Sequence, residues 1–208
     1  MILVGQYDSP FVRRVAITLH VLGIPFERNR LSVFNPEMAG INPLVRIPSL
    51  VIDSGETLFD SAAILDYLDE LAGPERALIP RSGADRRRVL QATVLAAGVV
   101  EKTGAVVYER HFHHHACIAH EWVARCLGQI AGALVHLDGH AGMPWYFGPR
   151  LTQADVTIGC MIAYFALRLP EAFPAGRYPR LAALGSRCEA LDAFIATRPA
   201  PDETMPPR

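Results

Sequence analysis

Two short motifs near the start of the chain place a serine hydroxyl where a helix is predicted to begin. Ser9 stands directly before Pro10, and the pair has the N-cap and first-turn chemistry of a helix start. Asp60 and Ser61 open a second helical pattern, and the first N–H groups of a helix readily bind anions. On these residues alone Ser9 is most simply a helix cap, and Ser61 is expected to cap the second helix, whose free N–H groups could bind an anion.

A cluster of five histidines is the other group with ligand chemistry. His111 and His115 are four residues apart and could chelate a metal ion if the segment is helical. No carboxylate or cysteine stands at a recognised metal-ligand spacing from them, so we expect a solvated loop rather than a metal site. The cluster comprises His111, His113, His114, His115 and His120.

The elements that must position the two serines alternate between strands and helices. Short apolar runs predict strands, and apolar residues at helical spacing after Pro10, ended by Gly23, predict a helix. Further on, two strand-like runs flank a turn-rich tetrapeptide at 53–56, which suits an antiparallel hairpin. The predicted order is a strand at 2–4, a helix from 10 to 22, a strand at 26–31, a hairpin over 47–59 and a helix from 60 to 71. This β-α-β, then β-β-α, order is typical of an α/β sandwich of the thioredoxin type.

The rest of the chain is predicted to be a separate helical domain. Residues 73–83 carry two prolines and two glycines without an apolar face, so they are expected to connect two domains. Amphipathic patterns predict long helices from about 84 to 108 and from about 116 to 137, and the apolar segment 151–169 predicts a buried central helix that starts at a Thr152–Asp155 capping box. We therefore predict a thioredoxin-like domain at 1–75, an all-helical domain at 84–208 and an irregular tail at 199–208.

Composition limits the classes of function. The 208-residue chain has 20 lysines and arginines against 21 acidic residues, a formal net charge of −1, so no basic field would hold a nucleic acid or an anionic membrane. No uninterrupted apolar run reaches ~18 residues, and the N-terminus resembles a strand more than a signal peptide. Four dispersed cysteines without a CxxC pair predict reduced, buried thiols. We expect a cytoplasmic protein that binds neither nucleic acid nor membrane.

Several motifs, taken in order along the chain, resemble the soluble glutathione S-transferases. The sequence SPF before an arginine-rich helix, followed by GIPFE, resembles the serine-type classes, in particular the plant tau class and bacterial relatives. NPLVRIPSL resembles the segment around the family's cis-proline, LFDSAAILDYLDE its acidic-serine motif and helix, and LTQADVTIG the capping box of its central helix. The resemblance runs from Tyr7 to Leu167 and implies the family's fold, a thioredoxin-like domain followed by an all-helical domain.

The resemblance implies roles for several of these residues in binding glutathione. Ser9 would donate a hydrogen bond to the glutathione sulfur and favour the thiolate, with help from the helix N-terminus. Tyr7 is the rival donor, although the tyrosine of other classes lies two residues before the proline, where this chain has Asp8. Pro48 would follow a cis peptide bond that turns the backbone N–H and C=O of Ile47 towards the cysteinyl part of glutathione.

Polar and charged residues are implied at the two ends of glutathione. Ser61 would hold the γ-glutamyl carboxylate and Asp60 would face the γ-glutamyl ammonium. Arg46 would reach the glycine carboxylate, which a guanidinium can grip with two hydrogen bonds. The second basic residue of tau-like enzymes is missing between the second strand and the cis-proline segment. We therefore expect either weaker binding of the glycine carboxylate or a contact between that carboxylate and Arg30.

The expected function is that of an enzyme that ionises glutathione at Ser9 and uses it to conjugate or reduce a small hydrophobic electrophile. Phe11, Tyr108 and Phe112 would line the acceptor pocket, unless they belong to the core. Glutathione would be a co-substrate, no metal would be required, and the family implies a homodimer. The alternative is a glutathione-binding or partner-binding protein with little turnover, because this fold is reused without catalysis. A glutaredoxin-type exchanger would need a cysteine in the place of Ser9.

Overall fold

A four-stranded mixed sheet forms from the apolar runs at the start of the chain, in a computed structural model that describes residues 1–203. The strands are β1 (Ile2–Val4), β2 (Glu27–Asn29), β3 (Ser49–Val51) and β4 (Thr57–Phe59). Their spatial order is β2-β1-β3-β4. Strand β2 runs parallel to β1, whereas β3 is antiparallel to β1 and β4 is antiparallel to β3. The predicted hairpin and the parallel return of the chain after the first helix are both present.

Two helices pack with this sheet. Helix α1 (Pro10–Leu22) is buried over most of its length and ends at Gly23, whose φ of 64° is left-handed. Glycine takes this conformation without a steric penalty, which is why the helix stops there. Helix α2 (Ser61–Ala72) buries a narrower face and contacts α1, β3 and β4. Leu3, Leu19 and Ile64 are fully buried and mark the shared core of the sheet and the two helices.

Residues 84–189 form a second compact unit, which is built from helices. They are α3 (Gly83–Phe112), α4 (His120–His140), α5 (Gln153–Arg168) and α6 (Pro179–Glu189). Helix α5 starts at the predicted capping box, where the backbone N–H and the hydroxyl of Thr152 each donate to the Asp155 carboxylate at 2.8 Å. The Tyr146 N–H donates to the same carboxylate at 2.6 Å. The predicted central helix is therefore present and starts at the predicted capping box.

By length and composition alone, helix α3 is long and apolar enough to cross a membrane. Its buried positions recur at helical spacing, the pattern of a core helix in a globular domain. These positions are Val89, Ala92, Thr93, Ala96, Val99, Val100, Thr103 and Val106. Helix α3 is therefore a core helix of the helical unit.

Residues 190–203 group with residues 1–83 in the first compact unit. They contain the short helix α7 (Asp192–Ala196), which contacts α1, and a 3-10 turn at Pro201–Glu203. The tail predicted to be irregular at 199–208 is thus ordered as far as Glu203, and residues 204–208 lie outside the described residues. The division into domains at 1–75 and 84–208 remains a prediction. It places residues 190–203 in the helical domain, whereas their contacts group them with residues 1–83.

Two details of the helical unit differ from the sequence-based expectation. The prediction of buried thiols is wrong for Cys117, which is exposed in the 3-10 turn His115–Cys117 between α3 and α4. A short turn between two helices lies at the surface, so the apolar residues next to Cys117 in the sequence do not shield its side chain from solvent. The other three cysteines are buried. A second cis peptide bond, at Met143–Pro144, was not predicted.

Candidate functional site

The register of the sheet brings the predicted site residues to one edge. Val4 at the end of β1 pairs with Asn29 at the end of β2 and with Ser49 at the start of β3. Ser49 in turn pairs with Phe59 at the end of β4. The loop after β1, the segment before β3 and the turn after β4 therefore meet at the same edge. They carry Ser9, Arg46, Ile47, Pro48, Asp60 and Ser61.

Ser9 caps α1 with its backbone but not with its side chain. Its φ and ψ of −76° and 117° are extended, and its carbonyl oxygen accepts from the Arg13 N–H at 2.9 Å. Within the described part of the chain the Ser9 hydroxyl makes no capping hydrogen bond. The residue is half-buried. A hydroxyl in this position can donate to a bound group in a region of positive partial charge.

The segment before β3 has an unusual backbone. The Ile47–Pro48 bond is cis, as the family resemblance implied, and Val45 has a φ of 52°. A β-branched residue rarely adopts a positive φ, and such outliers cluster at ligand sites. The buried Asn42 side chain holds the segment, because its Nδ2 donates to the Arg46 carbonyl at 2.9 Å and its Oδ1 accepts from the Leu44 N–H at 2.9 Å. The Arg46 side chain is exposed at this edge.

The turn into α2 places Asp60, not Ser61, at the N-cap. Asp60 Oδ1 accepts from the Ala62 N–H at 2.8 Å, and Asp60 has a φ of 69°. The prediction that Ser61 caps this helix is therefore wrong, because the carboxylate of the preceding residue reaches the first free N–H group. Asp60 is exposed, whereas Ser61 is buried as the first helical residue.

Arg14 is a residue of this region that the sequence analysis missed. It is buried in α1, its Nη2 donates to Ser61 Oγ at 2.6 Å, and its guanidinium carbon lies 5.4 Å from the centre of the Phe11 ring. Because the Ser61 oxygen accepts this bond, the hydroxyl proton is left to donate to another group. Arg14 thus adds a positive charge to a helix end that already favours anions. The sequence signal was a charged residue at a position where α1 is otherwise apolar.

Gly5 holds the loop after β1 close to the other two segments. Its φ is 137°, and a Cβ atom there would lie 2.5 Å from Val12 Cγ2 and 3.1 Å from Ile47 Cβ. A side chain would therefore push either α1 or the cis-proline segment away. The missing side chain is what allows the Ser9 loop and the Ile47 backbone to approach each other.

The residues predicted to line an acceptor pocket fall in both units. Phe11 is half-buried in α1. Tyr108 and Phe112 lie near the end of α3 with exposed side chains, and their ring centres are 5.6 Å apart in an edge-to-face arrangement. Their contact with an acceptor stays a prediction.

The histidine cluster lies mostly on the surface between α3 and α4. His111 belongs to α3 and His115 to the following 3-10 turn, so the two do not share a helical face. Hydrogen bonds from the Ala119 N–H at 2.9 Å and from His113 at 3.0 Å lower the pKa of Glu109. Among residues 1–203 no group of three or more potential metal ligands comes together.

A cavity of about 720 Å³ lies at the opposite edge of the sheet, where β1 begins. Its walls include Leu22, Phe26, Val51 and Leu71. None of the residues predicted to bind glutathione lines it, so its size does not identify the site.

Both parts of the sequence match known family profiles. The glutathione S-transferase N-terminal domain matches residues 3–76, and the glutathione S-transferase C-terminal domain matches residues 121–184. The chain belongs to the soluble glutathione S-transferase family. The predicted fold class, a thioredoxin-like domain followed by an all-helical domain, is confirmed.

Three relatives show how far the similarity extends. YibF, an uncharacterised GST-like protein of Escherichia coli K12, is 30% identical over 201 residues, which cover 96% of this chain and 98% of YibF. A maleylacetoacetate isomerase of Pseudomonas aeruginosa is 28% identical over 216 residues, covering 99% of each chain. The crystal structure of a glutathione S-transferase from Methylobacterium radiotolerans, in complex with glutathione sulfonate, has a TM-score of 0.90 at 29% identity and covers 100% of this chain and 98% of that chain.

Proposed function

We propose that the protein binds glutathione at the edge of the sheet described above, ionises its thiol at Ser9 and presents the thiolate to a small hydrophobic electrophile. The observation that carries this proposal is the Ser9 hydroxyl, which is half-buried at the start of α1 and makes no capping bond within residues 1–203. A hydrogen-bond donor placed there favours thiolate over thiol, and the helix end adds positive partial charge.

Each part of the tripeptide has a candidate partner at this edge. The N–H and C=O of Ile47, next to the cis bond, would pair with the cysteinyl backbone. The Ser61 hydroxyl, supported by Arg14 at 2.6 Å, would donate to the γ-glutamyl carboxylate. The exposed carboxylate of Asp60 would face the γ-glutamyl ammonium, and Arg46 would bind the glycine carboxylate.

Tyr7 is a weaker candidate than Ser9 for the sulfur donor. Its side chain is buried, and the guanidinium carbon of Arg28 lies 3.3 Å from the centre of its ring. Burial raises the pKa of Tyr7, partly offset by the charge of Arg28. This packing gives the Tyr7 ring a structural role, which supports Ser9 as the residue that touches the sulfur.

Ser61→Ala and Arg46→Ala should each weaken glutathione binding by about 5- to 150-fold, because each removes a charge-assisted hydrogen bond of about 1–3 kcal/mol. Calorimetry with the purified variants measures the change. Ser54→Ala and Arg81→Ala are matched controls, since both residues are exposed and lie outside the proposed site. Unchanged affinity in both site variants would remove the proposed glutathione site.

A glutathione-dependent isomerase is a second candidate, favoured by the full-length similarity to a maleylacetoacetate isomerase. In that reaction the same thiolate would add to a conjugated carbon–carbon double bond, forming a C–S bond and shifting an electron pair onto the carbonyl oxygen as an enolate. After rotation about the new single bond the electron pair returns, the C–S bond breaks and the thiolate leaves. Glutathione is regenerated, whereas conjugation retains it in the product.

The balance of free thiol separates the two reactions. With small hydrophobic electrophiles we expect one glutathione thiol to be lost for each product formed, as measured by thiol titration beside chromatography of the product. An isomerase would instead convert a maleyl substrate into its trans isomer at a constant thiol concentration. Tight glutathione binding without either reaction would support the alternative of a non-catalytic glutathione-binding or partner-binding protein.

Further assignments belong to the same proposal. Phe11, Tyr108 and Phe112 would contact the acceptor, and apolar contacts of this kind select by shape. Glutathione would serve as co-substrate without a metal ion. The protein would act as a homodimer in the cytoplasm.

A further inference from the structure

The C-terminal segment returns to the loop that carries Ser9. The turn at Pro201–Glu203 belongs to the same compact unit as residues 1–83. The Glu203 side chain is 0% exposed. A carboxylate is rarely buried to this extent unless it is paired and hydrogen-bonded. The partners of the Glu203 carboxylate therefore show which parts of the chain this turn holds in place.

Glu203 binds both backbone and side-chain groups. Its Oε1 accepts from the Tyr7 N–H at 3.3 Å and forms ion pairs with Arg28 and, at 3.5 Å, with Arg30. Its Oε2 accepts from the Ala200 N–H at 3.0 Å. Arg28 in turn covers the Tyr7 ring. The carboxylate thereby fixes the backbone of the loop after β1 and the side chain that covers it.

A second anchor lies on the other side of Ser9. Arg13 is buried in the first turn of α1, its Nε donates to the Thr197 carbonyl and its Nη2 to the Phe194 carbonyl, both at 3.1 Å. The Arg13 N–H also donates to the Ser9 carbonyl at 2.9 Å. The segment from Ala190 to Glu203 therefore binds the chain on both sides of Ser9, at Tyr7 and at Arg13.

We propose that Glu203 is a positioning residue for Ser9: by fixing the Tyr7 amide it holds the Ser9 hydroxyl where the glutathione sulfur binds. The inference rests on the proposed function, because it assigns Glu203 to the same site. A donor acts on a sulfur only at hydrogen-bond distance, and a displacement of about 1 Å is enough to weaken such a contact. Support for the loop from a distant part of the chain is the kind of second layer that keeps a donor in place.

Positioning and simple electrostatics predict opposite results for Glu203→Ala. Removing the carboxylate leaves the positive charge of Arg28 uncompensated, and a nearby cation lowers the pKa of a thiol. Loosening the Ser9 loop removes a hydrogen bond to the thiolate, which raises that pKa. The direction of the change therefore distinguishes the two effects.

The test is an ultraviolet titration of the thiolate of glutathione bound at saturation to the full-length protein. Glu203→Ala should raise the thiol pKa by about half a unit to one unit, a roughly three- to tenfold decrease in the ionisation constant, with less than about a threefold change in glutathione affinity. Glu203→Gln keeps an acceptor for the Tyr7 N–H and should restore most of the pKa. Asp202→Asn is the matched control: Asp202 lies in the same turn, is exposed and bonds Arg30 at 2.7 Å, so this variant should titrate like the unmodified protein.

An unchanged or lowered thiol pKa in folded Glu203→Ala would overturn the positioning role. Should this variant fail to fold, Glu203→Asp replaces it, because it keeps the charge beside Arg28 but shortens the reach to the Tyr7 N–H; a raised pKa is again expected, and an unchanged one again overturns the proposal. A normal thiol pKa for glutathione bound to the unmodified protein would contradict the proposed function itself. A lowered pKa that all Glu203 variants keep would contradict only the role of Glu203.

Discussion

Ser9→Ala should raise the pKa of the bound glutathione thiol by a unit or more and leave glutathione affinity nearly unchanged. The hydroxyl is proposed to touch only the sulfur, so the contacts of Ile47, Ser61 and Arg46 with the rest of the tripeptide would remain. Ultraviolet titration of the thiolate on the saturated protein measures the pKa, and calorimetry measures the affinity.

Thiol chemistry sets the size of the expected effect. A thiol of pKa ~8.5 is roughly 3% ionised at pH 7, and lowering the pKa by about two units raises this to roughly 76%, about 25-fold. The thiolate also becomes a poorer nucleophile, and a Brønsted slope of ~0.4–0.5, as in disulfide exchange, removes about 8-fold of that gain. The net gain at pH 7 is then only about 3-fold, so most of the rate enhancement must come from holding the thiolate beside the acceptor. The thiol titration is therefore a better measure of the Ser9 hydroxyl than turnover at pH 7.

Ser54→Ala serves as the control, because Ser54 is an exposed serine in the turn between β3 and β4. It should titrate like the unmodified protein. If Ser9→Ala gives the same titration curve as Ser54→Ala and the unmodified protein, Ser9 only shapes the start of α1 and makes no bond to the sulfur. Tyr7→Phe would then be the next variant to measure.

Features with a local cause could be predicted from the sequence. Ser9–Pro10 and Gly23 mark the two ends of α1 because capping and left-handed backbone depend on the residue at that position. The Thr152–Asp155 capping box is equally local. The cis bond before Pro48 has no local signal and was expected only from the family resemblance. The cap of α2 shows the limit of local rules, since Asp60 and Ser61 are both good caps and only the backbone at Asp60 decides between them.

Features that depend on distant parts of the chain could not be predicted in this way. Arg14 and Ser61 are 47 residues apart, and Arg28 and Glu203 are 175 residues apart. Each pair exists because a buried charge needs a partner, but the sequence does not show which residues the fold brings together. Glu203 stands in a proline-rich tail without a periodic pattern, so only its burial in the structure reveals it.

Arg14→Met should weaken glutathione binding by roughly 100-fold, near the upper end of the range expected for Ser61→Ala and Arg46→Ala. Arg14 donates to Ser61 Oγ at 2.6 Å, so its removal frees the hydroxyl to rotate away from the ligand and removes a charge-assisted bond of about 1.5–3 kcal/mol. It also removes a positive charge about two hydrogen-bond lengths, roughly 5–6 Å, from the proposed carboxylate. At an effective dielectric constant of about 20 that attraction is worth about 3 kcal/mol before solvation losses.

The conservative variant Arg14→Lys separates these contributions. It keeps the charge but replaces the planar guanidinium by a single ammonium, so its affinity should fall between those of Arg14→Met and the unmodified protein. The thiol pKa of glutathione bound at saturation should stay low in both variants, because Ser9 is untouched; this distinguishes Arg14 from Ser9. Thermal melting of each variant shows whether it is folded, because the removal of one buried charged group can destabilise a protein strongly. Folded Arg14→Met that binds glutathione as tightly as the unmodified protein would show that the γ-glutamyl carboxylate does not bind at the start of α2.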